Sequence, residues 1–600
     1  MQLQDSRAIK LVARIGHVAA AIVLGITAIS CRAPLAVRSA TSNPTSVPST
    51  QPDSTATLRE PIRVAMGKVR PPLRDRIVSF HKGKADKRLI RLASELGFNG
   101  VQIQIEGSTV EGIKNFAKYD SKEKLVDYCH SLGMKVTLWV HEMSDVPREW
   151  MPEWLGPVTV DNAAYWSLLD ARYEWMLSQA VPNVDGLVLT VVETTVGATD
   201  TPVMVKLVGL LNEKCKKHGK SLIVRTFVWY ADEFDTVMAA VNQLPAEQVI
   251  MSKCVPQDWN IRGIDAKEIG AVGGRPQIEE FDVAGEYFLR SSVPNCMVDQ
   301  LKRQFDYGIS KGISGICVRV DRDDDNVLHE PNEVNLWALG MFATGATNDV
   351  DEVWRAWATN RFGRDAAPGV IRALKPAEGV VAEMLSIGPF AHGDTRSFPP
   401  LGDEDFLGQL RQNWRWDDRL AADHERAERG DEAFAKAVAG AKANAEKVAR
   451  TCLTSLDLVK DRLKPEDYAI LRTRLRTLYA HTQFRGPMVL AALHYRQLVY
   501  ATNDAERSRA DAALQADLDQ LRTVACPVYD AATELKYLGR SWWVGPPEQV
   551  WRDAIYSWAW KMDQLRRGED PRPITPGHGM MPEPTSAPST QRHEGHEGTK

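Results

Sequence analysis

The chain has 600 residues, 44% hydrophobic and 25% charged, an ordinary globular composition too long for a single core, so two folded domains with tails are expected. A net charge of -4 offers no basic field to attract nucleic acid, and eight cysteines in such a length do not make a disulfide framework. Cys129, Cys215, Cys254 and Cys317 lie in apolar runs and read as buried free thiols.

The N-terminus carries Arg7, Lys10 and Arg14 ahead of the apolar run from Ile15 to Ser30. That run is shorter than the roughly 20 residues a spanning helix needs, and its charged start and small-residue end match an export signal. Ala28-Ile29-Ser30-Cys31 resembles a bacterial lipobox, which implies that Cys31 is lipidated and becomes the mature N-terminus. The expected location is therefore the cell envelope of a bacterium, periplasm or outer membrane, held to the membrane by lipid. From 32 to 60 the chain is rich in Ser, Thr and Pro and reads as a flexible tether. From 568 to 600 it is Pro-rich and polar, a disordered tail in which His593 and His596 have only a weak claim as metal ligands.

Between these ends, residues 61–363 hold eight short apolar runs, at 61–67, 100–106, 135–142, 186–193, 221–229, 248–255, 275–283 and 314–321. Amphipathic segments separate most of them. Leu89, Leu92, Ala93 and Leu96 make one helical stripe before Gly97, and Leu125, Tyr128, Cys129 and Leu132 another before Gly133. Asp161 is the expected cap of a third helix. The stretch Gly263–Gly274 carries no helix pattern. Eight parallel strands alternating with helices predict an α/β fold, a (β/α)8 TIM barrel, with functional groups at the C-terminal ends of the strands. From 364 to 567 strand signals vanish. Phe434, Val438, Ala441, Ala445, Val448, Cys452, Leu456 and Val459 mark a long helix, Pro465 opens a second that is expected to break near Gly486-Pro487, and Val550, Trp551, Trp558, Met562 and Leu565 belong to a last one. This predicts an all-α C-terminal domain.

Carboxylates gather at the predicted strand ends: Glu106, Glu142, Glu193, the trio Glu279, Glu280 and Asp282, and Asp321 with Asp323, Asp324 and Asp325. Cleavage of a glycosidic bond needs one protonated carboxyl to serve the leaving oxygen and one ionised carboxylate to activate water or attack the sugar. Glu193 follows the apolar run LVLTVV, and partial burial there raises a carboxyl toward neutrality, as an acid requires. The run Asp321–Asp325 reads equally as a solvated acidic loop or a Ca²⁺ site, but no His-x-His or HExxH spacing supports a catalytic metal. No cofactor is expected.

The segments VDGLVLTVVE, SLIVRTFVWY, QVIMSKCVPQDW, QIEEFDVAGEYF and GISGICVRVD with NEVNLWALG, between Asp161 and Gly363, resemble the barrel of family 67 glycoside hydrolases, the α-glucuronidases. About a third of the chain is covered. The resemblance places Glu193 at the family's general acid and an aspartate after strand eight at its base, Asp323 counting back from His329 and Asn335, Asp321 counting along the strand. It places Arg225, Lys253, Glu286 and Tyr287 in the sugar pocket, and Glu280 joins them as a substrate-binding candidate. Leu189 stands where the family has a Lys, four residues before the acid. The expected partner is an oligosaccharide or polysaccharide bearing uronic acid. A carbohydrate-binding lipoprotein that keeps the barrel without catalysis is the other reading. Oligomeric state is not legible.

Overall fold

The computed structural model describes residues 64–81, 85–105, 110–141, 158–191, 200–228, 233–256, 259–284, 293–322, 325–391, 418–535 and 558–569. Eight parallel strands close into a barrel in sequence order: β1 (Asp75–His81), β2 (Gly100–Gln104), β3 (Lys135–His141), β4 (Gly186–Thr190), β5 (Ser221–Arg225), β6 (Val249–Lys253), β7 (Gln277–Asp282) and β8 (Gly315–Arg319). β1 closes the ring on β8, with Ile77 opposite Cys317 and Ser79 opposite Arg319. Seven of the eight strands overlap the predicted runs.

The first strand does not. Residues 61–67 were expected to form it, yet the described part from Val64 to Arg70 is coil and turns, and β1 begins at Asp75. Gly67 adopts φ +74°, which ends any extended run, and Pro71 and Pro72 have no N–H to give a ladder. The donors of Gly67, Val69 and Leu73 turn to the carbonyls of Thr344, Gly345 and Ala343, so this segment braces the base of the barrel.

Strand parity sorts the side chains. Ile77, Trp139, Val188, Ile223, Met251, Ile278 and Cys317 pack together as the apolar plug inside the barrel. Their neighbours in sequence, among them Val78, Phe80, Leu138, Leu189 and Val224, join the larger core under the helices. Those helices are α1 (Lys87–Glu95), α2 (Val110–Glu123), α3 (Leu125–Ser131), α4 (Ala163–Trp175), α5 (Thr201–Lys217), α6 (Glu233–Gln243), α7 (Val298–Ser310) and α8 (Glu333–Ala343). The α4 cap is Asn162, one residue past the expected Asp161: its side chain accepts from the Tyr165 N–H at 3.0 Å. As the sequence suggests, no helix appears between β6 and β7 among the described residues. Trp259, Ile261, Ala266, Ile269 and Val272 are buried there instead.

The C-terminal region is helical, with α9 (Val350–Phe362), α10 (Ala367–Leu374), α11 (Ala377–Met384), α12 (Ala421–Arg429), α13 (Glu432–Asp457), α14 (Pro465–Tyr500) and α15 (Asp504–Leu535). Against expectation α14 runs unbroken through Pro487. Gly486 and Pro487 are both buried, and Gly486 lies against the Lys442 side chain of α13, so close packing overrides the local cost of proline. A bidentate ion pair, Glu330 with Arg474 at 2.8 Å, ties this region to the segment before it, and Arg361 with Asp467 at 2.7 Å ties α9 to α14. One apolar cluster is continuous from Val78 to Met562. No helix among the described residues is long and apolar enough to cross a membrane, and Cys31 and the tether lie outside them. Cys129, Cys215, Cys254 and Cys317 are buried free thiols, as expected.

Parity also removes one strand-end candidate. Glu279 points away from the barrel interior and lies against α7, where a Cβ on Gly308 would sit 2.0 Å from its carboxyl oxygen. It is fully buried, and neither oxygen has a hydrogen-bond partner among the described residues. Burial, with Asp265 adding like charge, pushes this carboxyl well above its ordinary range. The folded chain therefore keeps a proton that the unfolded chain releases once pH exceeds the ordinary carboxyl value, so stability is full below it and declines as pH rises toward the folded value. Glu279→Gln, which has the shape and no proton to lose, is expected to gain on the parent by up to about 1.4 kcal/mol per pH unit over that interval. Thermal unfolding of both proteins at about pH 5 and about pH 8 measures it, and an equal difference at the two values would show that Glu279 does not hold the proton.

Candidate active site at the barrel mouth

The inward residues above the apolar plug are His81, Gln104, His141, Thr190, Arg225, Lys253, Glu280, Asp282, Arg319 and, just past β8, Asp321. This end of a parallel barrel gathers all the strand C-termini, so polar groups from strands far apart in sequence meet there.

The centre is Trp139. Its indole N–H donates to Thr190 Oγ1 at 2.7 Å, which fixes the ring across the top of the plug. The guanidinium of Arg225 lies 4.6 Å from the ring centroid and that of Arg319 lies 5.2 Å from it. His141 stacks on the same indole at 5.0 Å.

Arg225 clasps Glu280. Its Nε donates to Oε2 at 2.5 Å and its Nη2 to Oε1 at 3.0 Å. Lys253 Nζ stands 4.0 Å from Oε1 on the other side, and Phe227 lies under both cations. The side chains of Arg225 and Glu280 are 1% and 2% exposed, so the pair sits in protein rather than water. Burial alone would lift the Glu280 carboxyl, but Arg225, Lys253 and Arg319 together outweigh it and hold the group below the usual carboxylate range. The sequence leaves two roles open for Arg225 and Lys253, holding an anionic group on a sugar or neutralising the acidic ring of the mouth; in the structure both stand beside Glu280.

Asp321 is fully buried. Its Oδ2 accepts from the backbone N–H of His81 at 2.5 Å, and Arg319 Nε stands 3.6 Å from Oδ1. Asp321 and Arg322 pair with Asn326 and Asp325 as a short hairpin that continues β8. Asp323 lies outside the described residues, as do Glu106, Glu142, Glu193, Glu286, Tyr287 and Asp324. Thus the structure brings together Arg225, Lys253 and Glu280 and sets Asp321 beside β1. Leu189, the departure from the family 67 pattern, belongs to the helix-facing core and does not line the mouth. Reading residues one by one missed His81, Gln104, Trp139, His141 and Arg319. The available signal was parity: each is two residues beyond an inward residue of its strand.

No family model matches the chain, and no curated protein matches it in sequence. Among solved structures it is similar to a family 138 glycoside hydrolase described as targeting pectin rhamnogalacturonan II, at 12% identity over 83% of this chain and 84% of that one, with a TM-score of 0.57. It is more loosely similar to a family 115 4-O-methyl-α-glucuronidase with specificity for decorated arabinogalactans (12% identity, 75% and 58% covered, TM-score 0.40). A family 89 glycoside hydrolase from Clostridium perfringens is also loosely similar (10%, 82% and 59%, TM-score 0.40). At such identity the first likeness is one of fold, and the other two support nothing beyond it.

The Arg225–Glu280 pair makes a measurable demand on stability. Removing one partner strands a buried charge, which typically costs about 3–5 kcal/mol, whereas replacing both by apolar groups costs much less. Arg225→Met and Glu280→Met are each expected to lower the urea midpoint strongly, and the double variant to recover most of the loss. Additive losses in that cycle would mean that the two side chains are not coupled.

Proposed function

We propose that this protein is a glycoside hydrolase acting on oligosaccharides that carry uronic acid, with Glu193 as general acid and Asp323 as general base. The observation that carries the reading is the convergence of Glu280, Asp282 and Asp321 with Lys253 and with two guanidiniums, Arg225 and Arg319, that lie over one indole, at the functional end of a closed barrel. The fold-level likeness to a family 138 glycoside hydrolase supports it, and so does the resemblance of the β4–β8 segments to the α-glucuronidases.

Glu193 follows the last residue of β4 by three positions, and Asp323 lies in the sequence between the paired residues Arg322 and Asp325 that follow β8. In the reaction the acid gives its proton to the glycosidic oxygen as the bond to the anomeric carbon breaks. The second carboxylate takes a proton from the water that attacks that carbon, giving a hemiacetal and an alcohol. Of the two aspartates first considered, Asp321 is committed to the His81 N–H and buried, which favours Asp323 for contact with water.

Glu193→Gln cannot donate a proton, and general acid catalysis is typically worth about 10²–10⁴-fold. This variant is expected to lose turnover by that order on aryl glycosides with poor leaving groups, and much less on good ones, while binding sugar as the parent does. Full turnover on poor leaving groups would falsify the assignment. Binding without turnover in the parent itself would point to the sugar-receptor reading.

Export and lipid attachment at Cys31 belong to the same proposal, since a polymer too large to enter a cell must be met outside it. The several acyl chains of a bacterial lipoprotein give the firm anchoring that one chain does not. Mass spectrometry of the mature N-terminus is expected to show a lipidated Cys31, and an unmodified N-terminus downstream of it would remove the anchor.

A further inference from the structure

Among the described residues, one sector of the mouth is more deeply buried than the other, the open sector. On β5, β6 and β7 the inward groups Arg225, Lys253, Glu280 and Asp282 are all buried. On β8, β1 and β2 the strand ends Arg319, His81 and Gln104 are only partly buried. The two sectors share Trp139 as a floor, with one guanidinium from each over the same indole.

Arg319 is the cation of the open sector. Its side chain is 12% exposed, against 1% for Arg225 and 5% for Lys253. Its Nη2 donates to Gln104 Oε1 at 3.2 Å, and its Nε lies 3.6 Å from Asp321 Oδ1, beyond an ordinary hydrogen bond. A guanidinium has five N–H donors in one plane. Here one is used to hold a glutamine, while the indole beneath keeps the plane from tilting. With its oxygen taken by Arg319, Gln104 has its two amide N–H donors for another acceptor. A planar donor fork beside an amide, at the edge of a mouth and over an aromatic floor, has the shape and charge to take a carboxylate bidentately.

We infer that Arg319 and Gln104 form the subsite that recognises the carboxylate of a hexuronic acid residue, and that Arg225 and Lys253 serve it only indirectly, by holding Glu280. This rests on the glycosidase reading above for its substrate, but not for its binding chemistry. Asp321 is part of the device. Held to the His81 N–H, it stands beside Arg319, with Oδ1 3.6 Å from Nε, on the side of β8 and β1.

The test uses the full chain with D-glucuronate and D-galacturonate as probes, D-glucose and D-galactose as their neutral counterparts, and calorimetric dissociation constants as the readout. Aryl uronides and aryl hexosides give the matching kcat/KM ratios. The parent is expected to prefer the acid sugars. A charge-assisted hydrogen-bond pair is worth roughly 10–100-fold, and Arg319→Gln is expected to reduce the acid-over-neutral preference by about that factor. Arg319→Lys, which keeps the charge and loses the fork, is expected to fall between. Gln104→Leu is expected to reduce the preference by about 2–10-fold, and it carries the test alone if Arg319→Gln does not fold. An unchanged preference in a folded Arg319→Gln or Gln104→Leu overturns the subsite, as does a parent that binds acid and neutral sugars alike. A parent that prefers uronates, loses the preference in Arg319→Gln and hydrolyses no glycoside ends the glycosidase reading and leaves the subsite standing.

Discussion

The mouth of this barrel is organised around one buried ion pair. Two unit charges removed from water are costly to keep, and the cost is met only where geometry and further partners are good. Arg225 and Glu280 satisfy that condition with two near-parallel hydrogen bonds, a second cation at Lys253, and aromatic faces from Trp139 and Phe227 under the guanidinium. The pair spans β5 and β7 across β6, and Trp139 brings in β3, so half of the barrel's upper ring is held by one constellation. Because that sector is charge-compensated from within, it can be rigid and dry. The sector opposite is left to meet a ligand.

What surrounds the ring follows from how the chain closes. A segment braced on the carbonyls that end α8 covers the base, and a run of buried apolar side chains takes the place of a helix between β6 and β7. The loop after β8 is held from two sides. The Glu333 carboxylate accepts from the His329 N–H at 2.8 Å, and Glu330 pairs with Arg474 from α14. His329 sits at φ +67°, a conformation that costs a non-glycine residue energy and persists only where neighbours impose it. The helical region thus reaches the segment that follows the hairpin after β8.

Much of this was legible in the sequence because it depends on local pattern. Runs such as GLVLT and SLIVR are apolar on both faces and short, as buried parallel strands are, and seven of the eight runs read this way overlap strands of the barrel. The absent helix after β6 could be seen in the glycines of 263–274. The first strand was missed because PIRVAMG and DRIVSFH carry similar local signals, and only the contacts with Ala343, Thr344 and Gly345 decide between them. Pro487 was misread because its neighbours in the fold are not local: it is buried within α14, beside a glycine that lies against Lys442 of α13. The site was legible by strand end but not by partner. Glu279 and Glu280 are neighbours in sequence and alike in chemistry, yet parity sends one to the helices and the other to the mouth. That Arg225 answers Glu280, 55 residues away, is a property of the closed register.

Helix α8 bears on how this protein can be divided. All eleven of its residues are buried, including Glu333 and Asn335, so it has no solvent face. Segments of the barrel and of the helical region share its surface, within an apolar cluster that has no seam between them. The apolar cluster runs across residue 363, where strands have given way to helices, so the surfaces of the two parts are matched to each other. A barrel transplanted without its helices would carry an oily flank into solution, so the unit that evolution or an engineer can move as one piece is the entire folded chain.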